Sequence, residues 1–195
     1  MAHFHTNSSE YINQVIDTNA IMMEIGSDRN EGSTSWFDNF AKIHKQEFYS
    51  VDVIDDAENR HTHLENTNFI ICDAGSSWTA TELPKLNKKI NILYLDNYDW
   101  GNYPVGINEK NIIKEYAQRG VDWSTFECQK EHLAQMVNCL PYMTDKSVVI
   151  CDDTPFIDHA GIYFGKCSAV VPYLCINGYE VVFKGQNGVI LTRGV

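Results

Sequence analysis

Acidic residues follow two short apolar segments of the chain and are the first candidates for chemistry. Asp96 follows Ile90–Leu95, and Asp152 and Asp153 follow Ser147–Cys151. Apolar segments of this length are typical of parallel strands that are covered on both faces. Neighbouring parallel strands end at one edge of a sheet, where three carboxylates repel one another unless a cation or a shared proton lies between them. Oxygen ligands suit Mg²⁺, Ca²⁺ and Mn²⁺, so the three residues predict a divalent-metal site. The alternative is that some of them cap the helices that follow.

A glycine turn follows another such segment, Ala20–Ile25. Gly26 lets the chain turn tightly and lets a ligand approach the backbone. Gly32, Ser33 and Thr34 then begin a predicted helix, whose free N–H groups favour a carboxylate or a phosphate. The spacing matches neither the dinucleotide-binding pattern G-x-G-x-x-G nor the P-loop. A ligand-binding turn and a purely structural turn are both consistent with it.

Residues at the ends of the next two predicted strands have the chemistry to bind a nucleoside. Asp52 lies 20 positions after Gly32, where a carboxylate can accept hydrogen bonds from ribose hydroxyls. Asp73 can accept a hydrogen bond from an adenine amino group, and Trp78 can cover the adenine face. Each has a plainer alternative, a loop Asp or a core Trp.

Strand-like and helix-like segments alternate along the chain. The predicted strands are Ala20–Ile25, Glu47–Val53, Asn68–Cys72, Ile90–Leu95, Ser147–Cys151, Tyr179–Lys184 and Gly188–Thr192. The predicted helices are Ser9–Asp17, Ser33–Lys45, Thr79–Leu86, Asn108–Arg119, Ser124–Tyr142 and Gly165–Asn177. Two of these helices open with capping boxes, Thr79-x-x-Glu82 and Ser124-x-x-Glu127. Alternation that ends in a hairpin predicts a three-layer α/β fold, whose sheet binds ligands beyond the carboxyl ends of its strands.

Composition excludes several classes of protein. The 195 residues carry a formal net charge of −11, which opposes binding to a phosphate backbone, so no nucleic-acid partner is expected. No apolar run is long enough for a membrane span, and the first residues lack the basic and apolar regions of a signal peptide. Six cysteines without a C-x-x-C pair predict buried, reduced thiols. We therefore expect a cytoplasmic protein without a membrane partner.

The motifs together resemble a known family. Glu24-Ile25-Gly26, Gly32-Ser33-Thr34 and Val51-Asp52 are similar, in order and spacing, to the first two motifs of class I S-adenosylmethionine-dependent methyltransferases. The similarity is greatest to the small-molecule O-methyltransferase branch. It implies a single Rossmann-like domain over residues 1–195, with seven mostly parallel strands that close in an antiparallel hairpin. Residues 1–19 would form an amino-terminal tail and helix, and residues 99–123 an insertion or a lid.

The resemblance also implies roles for individual residues. It places three at the methionine end of the cofactor, Glu24, Gly26 and Ser27. It assigns Asp52 to the ribose, and Asp73 and Ala74 to the neighbourhood of the adenine. Metal-dependent members bind Mg²⁺ through an Asp after the fourth strand and an acidic pair after the fifth, the places of Asp96 and Asp152-Asp153. Catechol-type members also carry a lysine base shortly after the fourth-strand Asp, and this chain has Asn97-Tyr98-Asp99-Trp100 there.

The predicted function is methyl transfer from S-adenosylmethionine to an oxygen of a small molecule, an activity of class EC 2.1.1. A divalent ion can lower the pKa of an acceptor hydroxyl. Without one, His159 or one of the three carboxylates, Asp96 among them, is the predicted base. The alternatives are a non-catalytic S-adenosylmethionine-binding module or subunit, and another metal-dependent reaction on the same scaffold. An assisting Mg²⁺ and a homo-oligomer remain open.

Overall fold

The structure, a computed structural model, describes residues 7–27, 32–53, 63–98, 100, 107–118 and 120–195. The strands in these residues are β1 (Ala20–Ile25), β2 (Glu47–Asp52), β3 (Thr67–Ile71), β4 (Lys89–Leu95), β5 (Met143–Asp152), β6 (Phe156–Ile157), β7 (Ile162–Tyr163), β8 (Glu180–Lys184) and β9 (Gly188–Arg193). The helices are α1 (Ser9–Ile12), α2 (Ser33–His44), α3 (Gly75–Thr81), α4 (Leu83–Leu86), α5 (Ile107–Gln118), α6 (Thr125–Cys139) and α7 (Val170–Ile176). A 3₁₀ turn, Leu140–Tyr142, follows α6. Within the described ranges, no helix combines the length and the apolar character needed to cross a bilayer.

A seven-stranded sheet in the order β3-β2-β1-β4-β5-β9-β8 forms the centre of the molecule. Strands β1 to β5 pair in parallel, and β9 runs antiparallel between β5 and β8. The predicted mostly parallel sheet with a carboxyl-terminal antiparallel hairpin is confirmed. The strand order reverses between β1 and β4, which is where open α/β sheets bind their ligands.

Apolar side chains cover both faces of the sheet and build two cores. On one face, Met23 and Ile25 of β1 belong to a cluster with residues of α3, α6 and α7. On the other face, Met22 belongs to a cluster with Ile12 of α1 and Phe37 of α2. Because successive side chains of a strand point to opposite faces, an apolar β1 requires helices on both sides. The three predicted layers are therefore present.

Some boundaries differ from those expected. The predicted capping box at Thr79 is wrong, because the helix begins earlier, at Gly75, and the Thr79 hydroxyl donates to the carbonyl of Ser76 within the helix (3.0 Å). At Ser124 the N-cap half of the predicted box is confirmed, since its Oγ accepts from the N–H of Glu127 (3.1 Å). The last helix is only α7, and a two-stranded ribbon, β6–β7, precedes it without having been predicted. Of the six cysteines, four are buried, Cys72 is half-buried and Cys175 is exposed.

Candidate functional site

The loops after β1 and β4 touch at Gly26. The N–H of Gly26 donates to Val51 (2.8 Å), and the N–H of Asp96 donates to Ile25 (2.9 Å), so both loops continue the pairing of their strands. Gly26 has a φ of +99°, and a Cβ added to it would stand 2.4 Å from the backbone nitrogen of Asn97. Both conditions require glycine. The turn after β1 therefore packs backbone to backbone against the loop after β4, at the reversal of strand order.

Glu24, inside β1, is fully buried and holds the beginning of α2. Its Oε1 accepts from the Ser33 hydroxyl (2.6 Å), and its Oε2 accepts from the hydroxyls of Thr34 (2.7 Å) and Ser50 (2.8 Å). The side chains of Ser33 and Thr34, predicted to bind the cofactor, thus donate to a buried carboxylate. These hydrogen bonds fix the position of the start of α2.

Asp52 ends β2 beside the same loop and is held by backbone donors. Its Oδ2 accepts from the N–H of Ser27 (2.8 Å), and its Oδ1 accepts from the N–H of Val53 (2.6 Å). The hydroxyls of Ser27 and Ser50 are hydrogen-bonded to each other (2.7 Å), which ties the loop after β1 to β2. The two backbone donors therefore fix the orientation of the Asp52 carboxylate. At Gly32, which precedes α2, an added Cβ would have no heavy atom of the described residues within 4 Å beyond its chain neighbours. Residues 28–31 of this loop lie outside the described ranges.

The residues assigned to the adenine are divided between the surface and the core. Asp73 is exposed and Ala74 half-buried in the loop after β3, which is joined to β2 by a hydrogen bond from the N–H of Cys72 to the carbonyl of Asp52 (2.9 Å). Trp78 is buried within the apolar cluster that contains α3, as expected for a core tryptophan rather than for one that covers an adenine face. Asp73 and Asp52 are therefore at one edge, while Trp78 packs inward.

A buried lysine joins the carboxylates that follow β4 and β5. Lys166 Nζ lies 2.7 Å from Asp96 Oδ1 and 3.1 Å from Asp153 Oδ2, and only 6% of its side chain is exposed. Asp152 is held differently, because its Oδ2 accepts from the Tyr94 hydroxyl and its Oδ1 from the N–H of Asp153 (2.8 Å). The structure thus brings the acidic residues to one edge, as predicted, and the cation between Asp96 and Asp153 is an ammonium group.

The charges of this cluster depend on one another. Burial disfavours the ammonium of Lys166, but the carboxylates of Asp96 and Asp153 outweigh burial and hold the pKa of Lys166 well above its ordinary value. Burial raises the pKa of Asp96 well above its usual range, and Lys166 opposes that rise. Burial also raises the pKa of Asp152, against the hydrogen bond from Tyr94. Lys166 is therefore the group on which the ionisation of the cluster depends.

The arrangement does not fit the predicted Mg²⁺ site. A magnesium ion requires near-octahedral oxygen ligands at about 2.0–2.1 Å, whereas these carboxylates are directed at Lys166, at Tyr94 and at a backbone N–H. Among the described side chains, no three His, Cys, Asp or Glu are grouped so that they could hold a metal ion. Lys166 provides the positive charge that the metal was expected to provide.

Lys166 is the residue of this site that sequence reasoning missed. It follows a tight turn, in which Gly165 has a φ of +100° and a Cβ would stand 1.8 Å from the carbonyl oxygen of Asp153. The N–H of Lys166 donates to that same carbonyl (3.1 Å). The available signal was that Lys166 is the one charged residue between Ala160 and Tyr179, inside an otherwise uncharged segment.

His159, the predicted alternative base, is exposed in the turn between β6 and β7. Among the described residues, no hydrogen bond or ion pair joins it to Asp96, Asp152 or Asp153. Two aromatic residues are near the cluster in sequence, Trp100 shortly after Asp96 and Phe164 shortly before Lys166. Their rings meet edge to face at 5.3 Å.

Helix α5 belongs to the predicted insertion at residues 99–123, and the ring of its Tyr116 lies 5.0 Å from that of Tyr98. It therefore packs against the loop after β4. Residues 99, 101–106 and 119 lie outside the described ranges, and a lid function stays a prediction.

Two buried amide side chains with unpartnered oxygens lie beside Gly75. Asn97 Oδ1 and Gln135 Oε1 are buried and accept no hydrogen bond among the described residues. A Cβ on Gly75 would stand 2.7 Å from Gln135 Nε2 and 3.3 Å from Asn97 Nδ2, so the two amides face the same point. Because buried acceptors are normally hydrogen-bonded, the oxygens of Asn97 and Gln135 are candidates to receive a ligand's donors.

His132 is buried on α6. Its Nδ1 donates to the carbonyl of Cys128 (2.7 Å), and burial lowers its pKa to about 3.

Comparison with known proteins gives a fold. No protein-family model and no curated protein sequence matches the chain. Among solved structures, a putative rRNA-methylase from Clostridium thermocellum has a TM-score of 0.56 at 10% identity, over 100% of this chain and 99% of that one. The N-methyltransferase NodS from Bradyrhizobium japonicum, in complex with S-adenosylhomocysteine, has a TM-score of 0.51 at 10% identity, over 100% and 90%. The plantazolicin methyltransferase BpumL, also in complex with S-adenosylhomocysteine, has a TM-score of 0.47 at 13% identity, and this chain spans 45% of it. With its sheet order, the chain therefore has the Rossmann-like fold of class I methyltransferases.

Proposed function

We propose that the chain binds S-adenosylmethionine at the carboxyl ends of β1 and β2 and transfers its methyl group to a small molecule. The observation that carries the proposal is the pairing of Gly26 with Asp52. A glycine turn packed against the loop after β4 lies at the reversal of strand order, and a carboxylate oriented by two N–H groups ends the next strand. The fold is similar to that of a methyltransferase in complex with S-adenosylhomocysteine, and this similarity supports the proposed cofactor.

The residues at this edge fit the cofactor. Asp52, oriented by the N–H groups of Ser27 and Val53, would accept hydrogen bonds from ribose hydroxyls. The methionine end would lie along the backbone at Gly26, next to Asn97 Oδ1, a buried acceptor that a ligand's donor can satisfy. Asp73 remains the proposed acceptor for the adenine amino group. Glu24 would act at a distance, by fixing the start of α2.

Bound S-adenosylmethionine supplies a methyl group on a sulfonium centre. The chain must hold the acceptor in line with that group and receive its proton. Asp153 is suited to the second task, since 47% of its side chain is exposed at this edge, whereas Asp96 is only 11% exposed. We propose Asp153 as the group that accepts the proton, ahead of Asp96 and His159.

The acceptor atom is an open part of the proposal. An oxygen acceptor was expected because a divalent ion would lower the pKa of a hydroxyl. Lys166 lies where that ion was expected, and its Nζ is bound to Asp96 and Asp153. Oxygen and nitrogen acceptors therefore stand equal in the proposal.

Calorimetric titration with S-adenosylmethionine and S-adenosylhomocysteine tests the cofactor. We expect micromolar binding, weakened at least about tenfold by Asp52→Ala, since a hydrogen bond to a charged group contributes about 1.5–3 kcal/mol. Asp145→Ala is the matched control, because Asp145 is an exposed carboxylate near the opposite end of β5. Failure of both ligands to bind, or equal binding by Asp52→Ala, would refute the proposal. Methylated product from a panel of acceptors then separates an enzyme from a binding subunit.

A further inference from the structure

Negative charge exceeds positive charge where β4 and β5 end. Asp96 and Asp153 share a single ammonium group, that of Lys166. Asp152 binds the Tyr94 hydroxyl and the N–H of Asp153, neither of which is a cation. Among the described residues, no other cation is ion-paired with these three carboxylates. One ammonium balances only one of the two carboxylates that share it, so the pair of Asp96 and Asp153 keeps a formal surplus of one negative charge.

This surplus begins beside the proposed cofactor site. A Cβ on Gly26 would stand 2.6 Å from the carbonyl carbon of Asp96, so the loop bearing Asp96 touches the turn along which the methionine end would lie. Lys166 links Asp96 to Asp153, the more exposed of the two carboxylates. We therefore expect Asp96 to be the carboxylate nearest the reactive sulfur and Asp153 to be the one that the acceptor can reach.

We infer that Asp96 and Asp153 make the site selective for charge, so that it binds the sulfonium cofactor more tightly than its neutral thioether product. The inference rests on the proposed function. In the reaction the carbon–sulfur bond breaks and its electron pair stays on sulfur, while the acceptor forms the new bond to carbon and gives its proton to Asp153. The cofactor loses its positive charge when the methyl group leaves, so the carboxylates attract the thioether product less strongly. Methyl transfer therefore favours release of that product.

The magnitude follows from Coulomb's law. A net unit charge at about 8 Å, in an effective dielectric of about 20, changes binding by roughly 30-fold. The exposure of Asp153 to water reduces this effect through screening. We expect S-adenosylmethionine to bind about tenfold more tightly than S-adenosylhomocysteine at low ionic strength, with a smaller ratio at high salt.

Three ligands of almost the same shape test the inference by calorimetry. They are S-adenosylmethionine, S-adenosylhomocysteine and sinefungin, in which a protonated amine replaces the methylated sulfonium. The ratio of their dissociation constants is measured in the wild-type chain and in Asp96→Asn, Asp153→Asn and Asp145→Asn. Because Asp153 is half-exposed, its variant remains informative even if the buried Asp96→Asn variant does not fold.

Support requires that both cationic ligands bind about tenfold more tightly than the thioether. Each of the two site variants must also lower that ratio at least threefold, while Asp145→Asn leaves it unchanged. Equal or tighter binding of S-adenosylhomocysteine by the wild-type chain overturns the inference alone, as does an unchanged ratio in Asp153→Asn. If none of the three ligands binds, the proposed function fails and the inference fails with it.

Discussion

Substitution of Gly26 by alanine tests whether the contact between the loops after β1 and β4 is as tight as the structure shows. Gly178 provides a matched control, because its φ of +83° is close to the +99° of Gly26 but no heavy atom lies within 4 Å of its added Cβ. Both substitutions force a side chain into the left-handed region. Only Gly26→Ala also drives a Cβ into backbone atoms.

The two costs can be worked out separately. A left-handed backbone costs a residue with a Cβ about 1–2 kcal/mol, which is all we expect for Gly178→Ala. At Gly26 the added Cβ stands 2.4 Å from a backbone nitrogen, when real Cβ contacts essentially never fall below 3.0 Å, so the loop bearing Asp96 must shift. Overpacking of this kind costs about 1–3 kcal/mol. The shift also weakens the hydrogen bond from Asp96 to Ile25, which contributes about 1 kcal/mol. We therefore expect Gly26→Ala to lower the free energy of unfolding by about 3–6 kcal/mol.

Urea unfolding followed by circular dichroism and by tryptophan fluorescence measures both variants, with coincident transitions as the check on two-state behaviour. Titration with S-adenosylhomocysteine gives a second measurement, since separation of the two loops should weaken binding in Gly26→Ala but not in Gly178→Ala. If the two variants lose the same stability, the close approach at Gly26 does not exist in solution and the steric reasoning is wrong.

Three further predictions concern stability. Lys166→Met should lower the free energy of unfolding by about 3–5 kcal/mol, because it leaves buried carboxylates without their cation, whereas methionine at the exposed Lys184 should cost less than about 1 kcal/mol; thermal unfolding compares the two. His132 has its pKa lowered by burial from 6.5 to about 3, so its contribution to stability is present above pH 6.5 and is lost as the pH falls toward 3, by up to about 1.4 kcal/mol per pH unit. Urea titrations between pH 7 and pH 4 should accordingly show a smaller loss of stability in His132→Gln than in the wild-type chain, and parallel losses would contradict the assignment. Ser124→Ala should cost about 1 kcal/mol through loss of the cap on α6, while Thr125→Ala, one residue later and exposed, should change stability by less than about 0.5 kcal/mol.

The fold could be predicted because its signals are local. Short apolar segments, turns that follow them and a final hairpin are enough to indicate a mostly parallel sheet, and β1 begins and ends where expected. The errors fall where local and tertiary preferences compete. Thr79-x-x-Glu82 has the composition of a capping box, but Gly75 and the packing of Trp78 start the helix a turn earlier.

The candidate site could be predicted only in part. The ends of strands are readable from sequence, so the positions of Gly26, Asp52 and Asp96 at one edge were expected. Hydrogen-bond partners between distant segments are not readable in this way. Nothing local to Ser33 indicates that its hydroxyl donates to Glu24, nine positions earlier, at 2.6 Å.

The lysine between the carboxylates shows the limit of the electrostatic reasoning and also what that reasoning achieves. Repulsion among Asp96, Asp152 and Asp153 predicted a cation at this edge, and a cation is there. Coulomb's law does not distinguish an ammonium group from a metal ion. The turn at Gly165 positions Lys166 at this edge, and no spacing rule relates that turn to Asp96, which lies 69 positions earlier. The kind of cation determines the charge that remains. A divalent ion would neutralise Asp96 and Asp153 together, whereas the single ammonium of Lys166 leaves that pair with one surplus negative charge. An edge built in this way is more attractive to a sulfonium than the predicted metal site would have been, and it achieves this with residues that the chain itself supplies.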